Sequence, residues 1–429
     1  MAKYVIEGGR EVSGSLRPSG NKNEILPVLA ACLLSSQPVT LQRVPRIADV
    51  QVMLDLLNDL GVRYQWLGRD SLVLEANTAS EGLLSAEKCS KVRAAILLLG
   101  PLLARWGKAR LPLPGGDVIG ARKIDCHFEG LIALGAKVEL VRSEIHGSVT
   151  PGKLRGAAIF LDEPSVTATE NIIMCAVLAE GTTVLEHAAS EPHVVGLCEL
   201  LIKMGAHISG VGSNRLTITG VSGLSGAEHT IGPDFMEMAS YLCLGAACGG
   251  RVQIDDVMPA NYRGILGAWQ KLGIQPEITE NSIAVDGSHG LQIKADVSGR
   301  IPTVYSAPWP GFPTDLMSVA IVTATQATGT MIFFEKMFEG RMFFTDKLLH
   351  MGAQIVLCDP HRVVVTGKSQ LIGARMSSPD VRAGMALVIA ACMARGTSEI
   401  YNTHLVERGY DQVIEKLSHL GVAIQLKDS

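Results

Sequence analysis

The sequence predicts an α/β protein of two domains with three units each, in which apolar helices are wrapped by outward-facing sheets. Three observations carry this reading. A helix end of Leu or Met, then Gly, then a small or apolar residue recurs six times. A second pattern, a small-residue helix end followed by Gly and a β-rich run, interleaves with the first. The helices between them are apolar on most faces, as from Met385 to Ala394, and a helix apolar all round belongs inside a core.

The first pattern stands at Leu60-Gly61-Val62, Leu134-Gly135-Ala136, Met204-Gly205-Ala206, Leu272-Gly273-Ile274, Met351-Gly352-Ala353 and Leu420-Gly421-Val422. A Gly after the last helical residue suits a left-handed cap that turns the chain into the next strand. The second pattern is clearest at Ala179-Glu180-Gly181-Thr182-Thr183-Val184-Leu185. It recurs near Gly107, Gly250, Gly329 and Gly396, with Ser36 to Leu41 as a version without Gly. Each unit reads as two helices with short strands between. The opening segment, strand-like from Val5 to Gly9 and alternating from Val12 to Leu16, precedes the first helix and is expected to complete the last unit. An ordinary doubly wound α/β protein, where Leu-Gly-Ala also ends helices, is the alternative that repeats alone leave open.

Composition agrees with a soluble protein large enough for two cores: 429 residues, 47% hydrophobic and 19% charged. A net charge of −4 argues against a nucleic-acid partner. The nine cysteines lack CxxC or Cys/His spacing, which argues against a disulfide framework or a structural zinc. A charged N-terminus and the absence of a run long enough to span a bilayer predict a cytoplasmic protein with no membrane partner.

Four features carry chemistry. Ser19-Gly20-Asn21-Lys22-Asn23-Glu24 puts a Lys at a helix N-terminus, where it opposes the helix dipole. That placement makes sense if an anion sits there; a solvated loop Lys is the plain alternative. Leu113 to Arg122 is a Gly-rich loop suited to a lid, with Asp117 as a candidate general acid and Arg122 as a candidate anion fork. A simple turn would explain the same Gly-Gly-Asp. Pro308 to Asp315 is a stiff approach to a helix; either Thr314 or Asp315 is simply a helix cap, or Asp315 is a general base on rigid backbone. Arg93, Arg122, Arg341, Arg382 and Arg408 each flank an apolar stretch and suit phosphate or carboxylate recognition. Gly367-Lys368-Ser369 is no P-loop, because Arg362 stands where the first Gly is required.

Together these segments resemble the enolpyruvyl transferase family in its nucleotide-sugar branch. The residues that carry the resemblance are Gly20-Asn21-Lys22-Asn23, Pro114-Gly115-Gly116-Asp117, Ile119-Gly120-Ala121-Arg122, Pro164-Ser165-Val166 and Ala168-Thr169-Glu170-Asn171. They continue with Gly311-Phe312-Pro313-Thr314-Asp315, Asp380-Val381-Arg382-Ala383 and Glu407-Arg408-Gly409-Tyr410, in order along the whole chain. The resemblance implies two inside-out α/β barrel domains, each of three βαβαββ-type repeats around buried helices. It implies one domain over residues 22–232 and a second over 1–21 and 233–429, with the site between them. It implies transfer of the enolpyruvyl group of phosphoenolpyruvate to UDP-N-acetylglucosamine, with no metal and no cofactor.

Carried across, the resemblance implies that Lys22, Arg122 and Arg408 hold the phosphate of phosphoenolpyruvate, and that Arg341 and Arg382 hold its carboxylate side. Arg93 would support the loop, Asn23 would bind the sugar, and Asp315 would take the proton of the 3′-hydroxyl. Asp117 would act from the lid. Lys123, Ile124, Asp125, Ser165 and Val166 fall where nucleotide contacts are expected, and Met337 and Asp380 join the substrate-binding set.

Several positions depart from the family. The lid tip, most often the Cys that fosfomycin alkylates, is Asp117. Thr167 stands where Gly is usual, Lys123 replaces a Pro, and Asp234-Phe235-Met236-Glu237 lacks a customary Arg. The last three cluster on the nucleotide-sugar side. A sister transferase with another acceptor and a non-catalytic UDP-sugar-binding paralogue are therefore the alternatives. The second need not keep Lys22, Arg122, Arg382, Arg408, Asp117 and Asp315 together, and all are present.

Overall fold

A computed structural model describes residues 2–116, 119–120, 122–149 and 154–428. The chain divides into two compact units. The middle unit is Gly20–Gly116 with Arg122–Gly232; the terminal unit comprises the described parts of Met1–Ser19, Asp117–Ala121 and Pro233–Ser429. Each has its own hydrophobic core.

In the middle unit, helices α1 (Lys22–Ala31), α2 (Ala48–Asp59), α3 (Leu99–Trp106), α4 (Asp125–Ala133), α5 (Val166–Ala176) and α6 (Pro192–Lys203) alternate between inner and outer positions. Inner helices α1 and α5 are buried along almost their whole length, as an all-apolar pattern requires. The outer helix α2 keeps Met53, Leu54, Leu56 and Leu57 inside and turns Gln51, Asn58 and Asp59 out, while Asp49 in its first turn is buried. The terminal unit repeats the arrangement with α7 (Phe235–Cys248), α8 (Arg263–Lys271), α9 (Met317–Ala324), α10 (Thr345–His350), α11 (Val381–Met393) and α12 (Val413–His419). All of α9 is buried, and α11 is buried up to Cys392.

Among the described residues six separate sheets of three to five strands enclose these helices, three in each unit. Among the described residues no single wide sheet carries helices on both faces, so the doubly wound alternative falls. Five of the six share one plan among the described residues: a parallel pair, then two antiparallel partners. In one, Gly14–Leu16 runs parallel to Arg251–Asp255, which pairs antiparallel with Ser282–Asp286. Ala2–Gly8 lies between Gly396–Tyr401 and Ala423–Asp428, so the opening strand completes the sheet of the last repeat.

The repeat glycines behave as their pattern predicts. Gly61, Gly135, Gly205, Gly273, Gly352 and Gly421 all have φ between 84° and 104°, the left-handed turn out of each outer helix. In the second pattern the left-handed residue is Gly249, not Gly250: α7 runs through Cys248 and its cap lies one residue earlier than the spacing suggested.

The two helices at the chain crossovers start alike. Asn21 caps α1 by accepting from the amides of Asn23 and Glu24, and Asp234 caps α7 by accepting from Met236 and Glu237. Three residues past each cap a buried Glu holds a backbone amide of the other crossover strand. Glu24 accepts from Gly232 at 3.1 Å, and Glu237 accepts from Ser19 at 3.1 Å. Glu24 also contacts His229 at 2.9 Å, and Glu237 pairs with Lys416. Burial pushes the Glu237 carboxyl up to about 7 against the pull of Lys416.

Candidate active site

The terminal unit gathers its charged residues around Asp315. The Pro-rich approach leads into a short turn, Thr314–Leu316, ahead of α9. Pro313 occupies the capping position and makes no side-chain cap bond, so the cap reading of Asp315 falls. Its carboxylate is instead gripped from two sides: Oδ1 by Arg341, and Oδ2 by Nε of Arg382 at 3.0 Å. The Arg382 side chain is 5% exposed and that of Asp315 23%, so this cluster is largely out of water. Burial is the largest single influence on Arg382 and acts to discharge it, but Asp315, Tyr410 and Asp234 together outweigh it and hold the guanidinium above its ordinary range. Arg382 also lies 5.4 Å over the Tyr410 ring. Two donors of these arginines, Nε of Arg341 and Nη1 of Arg382, are buried with no acceptor among the described residues. Buried donors without acceptors are costly, and they mark where an anion is expected.

Three other predicted residues belong to the terminal unit. Asp380 caps α11, accepting from Arg382 and Ala383 at 2.8 and 2.9 Å, and so fixes the backbone that carries Arg382. Arg408 ends the short helix Thr403–Glu407 and is half-buried. Met337 is exposed, its amide bound by Glu335.

The remaining predicted residues, Asp117 apart, belong to the middle unit. Lys22 is the first residue of α1 and is buried, so it is no solvated loop lysine. The anion it meets within the fold is Asp49, at 2.7 Å. Asn23 follows, half-buried. Arg93 donates to the carbonyls of Arg122 at 2.8 Å and Lys123 at 3.3 Å and so braces the end of the Gly-rich loop. Burial, with the charge of Arg122 beside it, lowers the Arg93 guanidinium to about 10. Lys123 and Asp125 are exposed, Ile124 is half-buried, and Asp125 opens α4. Ser165 is the capping residue of α5 and makes no side-chain cap bond; Val166 follows, half-buried. Asp117 lies outside the described residues. Close to it, Gly120 has φ 134°, and a Cβ there would come within 2.5 Å of Glu339. Ile119 accepts from the Gly340 amide at 2.9 Å.

The profile of the EPSP synthase (3-phosphoshikimate 1-carboxyvinyltransferase) family matches residues 6–417. A UDP-N-acetylglucosamine 1-carboxyvinyltransferase of Treponema denticola is 51% identical over 428 residues, covering 100% of both chains. The enzyme of that name from Borreliella burgdorferi is 50% identical, with 99% of each chain covered. The chain belongs to the enolpyruvyl (1-carboxyvinyl) transferase family. The transferase also shares its fold with two solved structures. The enolpyruvyl transferase NikO from Streptomyces tendae superposes with a TM-score of 0.87 at 21% identity, over 100% of this chain and 99% of that one. An EPSP synthase from Acinetobacter baumannii gives 0.75 at 17%, over 100% of both. The α/β class and three-repeat plan predicted from the sequence are those of this transferase fold. Among the described residues no helix is long and apolar enough to cross a membrane.

The transferase contains a group that sequence reasoning missed. Glu335 is fully buried and organises the Asp315 cluster from behind. Its Oε1 accepts from the Ser306 hydroxyl at 2.8 Å and from the amides of Met337 and Phe338 at 2.8 and 3.2 Å. Its Oε2 accepts from the Thr314 hydroxyl at 2.7 Å, one residue before Asp315. One carboxylate thus ties the turn that carries Asp315 to the turn that leads to Arg341. The available sequence signal was a Glu closing the apolar run Met331 to Phe334, a poor place for an unpaired charge. Asp49 was missed likewise.

Proposed function

We infer that the chain transfers the enolpyruvyl group of phosphoenolpyruvate to the 3′-hydroxyl of UDP-N-acetylglucosamine and releases phosphate. This step feeds peptidoglycan precursor synthesis. The observation that supports it best is the Asp315 cluster, a carboxylate gripped by two arginines that keep buried donors to spare. It occurs in a chain about half identical to enzymes of that name over their full length.

The proposed chemistry is addition followed by elimination. Protonation of the methylene carbon of phosphoenolpyruvate leaves an oxocarbenium-like centre. The sugar hydroxyl adds to it and gives a tetrahedral phosphate intermediate. Loss of a methyl proton and of phosphate restores the enol ether. These steps need an acid, a base and a cluster of cations. Asp117 is assigned as the acid and Asp315 as the base. Lys22, Arg122 and Arg408 are assigned to the phosphate, Arg341 and Arg382 to the carboxylate side, and Asn23 to the sugar. Arg93 braces the loop. Lys123, Ile124, Asp125, Ser165 and Val166 are assigned to the nucleotide, with Met337 and Asp380 completing the substrate-binding set.

The arginine grip gives Asp315 a reason to wait. While Arg341 and Arg382 hold its two oxygens, Asp315 is poorly placed to take a hydroxyl proton. A substrate carboxylate that engages their spare donors loosens that hold and frees an oxygen of Asp315 when phosphoenolpyruvate is present. Both substrates are charged phosphate compounds that do not cross bilayers unaided, so the reaction is assigned to the cytoplasm.

The test is phosphate release from phosphoenolpyruvate with a panel of UDP-sugars and UMP. Release with UDP-N-acetylglucosamine alone is expected. Release with a different acceptor makes the chain a sister transferase, and nucleotide-sugar binding without release makes it a non-catalytic paralogue.

A further inference from the structure

A chain of buried hydrogen bonds in the middle unit has a fixed direction. It starts at Asn171 on α5. The Asn171 Oδ1 accepts from the Gly100 amide at 2.8 Å, and Nδ2 donates to the Ile96 carbonyl at 2.8 Å. These two backbone partners fix which end of the amide is oxygen. The space is closed as well: a Cβ on Gly100 would lie 2.5 Å from the Asn171 carbonyl oxygen. The second proton on Nδ2 points at Nδ1 of His127, 2.8 Å away.

His127 is buried, and desolvation, with the charge of Arg93 second, lowers its ring to about 3, so it is neutral. A neutral ring that accepts at Nδ1 carries its proton on Nε2. Nε2 is 3.0 Å from Oγ1 of Thr167, so the ring donates and the hydroxyl accepts. The hydroxyl proton of Thr167 then points away from His127. No acceptor for it is found among the described residues, and Thr167 is only half-buried. Thr167 directly follows Ser165 and Val166, and His127 comes two residues after Asp125.

We propose that Thr167 is a specificity-determining residue whose hydroxyl, oriented by the Asn171–His127 chain, donates a hydrogen bond to an acceptor oxygen of the nucleotide. That oxygen is a pyrimidine carbonyl or an oxygen of the α-phosphate; both are pure acceptors. This rests on the functional reading above for the identity of the ligand and for its place beside Ser165 and Val166. A glycine at 167 would leave the His127 proton unanswered and offer no donor, so the residue acts on both sides of the chain.

The experiment is calorimetric titration of the full-length protein with UDP-N-acetylglucosamine. Thr167→Val should raise Kd roughly three- to tenfold, the range of one neutral hydrogen bond, while Thr167→Ser should stay within about twofold. The Val variant also strands the His127 proton, so ligand analogues separate contact from packing. UDP-sugars carrying 2-thio- or 4-thiouracil or an α-phosphorothioate each weaken one acceptor. For one of the three, the penalty of Thr167→Val should vanish, and that one identifies the oxygen. An equal penalty with all three, or an unchanged Kd in Thr167→Val, overturns the proposal. Nitrogen-15 NMR of labelled histidine gives a second readout: His127 should show the Nε2–H tautomer, and an Nδ1–H tautomer reverses the chain and overturns it too. Binding without phosphate release would refute the enolpyruvyl transfer reading and leave the Thr167 comparison standing. Absence of nucleotide-sugar binding would refute both.

Discussion

Replacing Asp315 with Asn removes one negative charge and one of two acceptor oxygens from between two guanidinium groups. The side chains of Arg341 and Arg382 are 9% and 5% exposed, so water can compensate little. Breaking a buried pair by removing one partner typically costs about 3–5 kcal/mol. Asn keeps one oxygen for one arginine, so about 2–3 kcal/mol is expected here. Catalysis should suffer separately: loss of a general base lowers turnover by roughly two to four orders of magnitude. Binding should move the other way. With Asn at position 315, both arginines have charge to offer the substrate carboxylate, so phosphoenolpyruvate should bind at least as tightly as in wild type and restore part of the lost stability. Denaturant unfolding with and without phosphoenolpyruvate, beside phosphate-release kinetics, reads all three effects. A variant within tenfold of wild-type turnover would remove Asp315 from the chemistry. A variant that is inactive but binds phosphoenolpyruvate more weakly would refute the competition between Asp315 and the substrate carboxylate.

Lys22→Ala should raise the KM for phosphoenolpyruvate; Asp49→Ala should raise it less, by releasing the ammonium from its position, and the two should be non-additive in a double-mutant cycle, full additivity placing them in separate roles. His127, about 6.5 unfolded and lowered to about 3 folded, costs nothing at neutral pH but destabilises progressively as pH falls below 6.5. That share amounts to about 2 kcal/mol between pH 7 and 5, and a smaller stability slope in His127→Gln than in wild type checks it. Asp117 offers no thiolate to an epoxide, so wild type should survive prolonged fosfomycin with UDP-sugar present, whereas Asp117→Cys should become covalently inactivated with one inhibitor on the loop peptide. An adduct on Cys126 in wild type would refute that loop assignment.

The fold was legible because its signals are local and repeated. A Gly after a helix end needs only its neighbours to be read, and the same device returns six times with positive φ. Helices without a polar face likewise announce their burial. Asp315, Lys22 and the arginines were legible as charges in unusual places, but their partners were not. Lys22 was expected to meet an external anion, and the fold supplies Asp49 from the start of another helix. Glu335 joins Ser306, Thr314 and Met337, which share no sequence pattern. The direction of the Asn171–His127–Thr167 chain depends on two backbone groups near residue 100 that only the folded α3 region brings to α5. Local propensity finds elements; pairings between distant charges exist only once those elements pack.

The most direct test of the central claim is the reaction run in D2O with UDP-N-acetylglucosamine and phosphoenolpyruvate, with the product read by NMR. Addition and elimination pass through a methyl group, so the account predicts a 3′-enolpyruvyl ether with deuterium in its vinyl methylene, and free phosphate in equal amount. A phosphorylated sugar with release of pyruvate, or an enol ether free of deuterium, would contradict it.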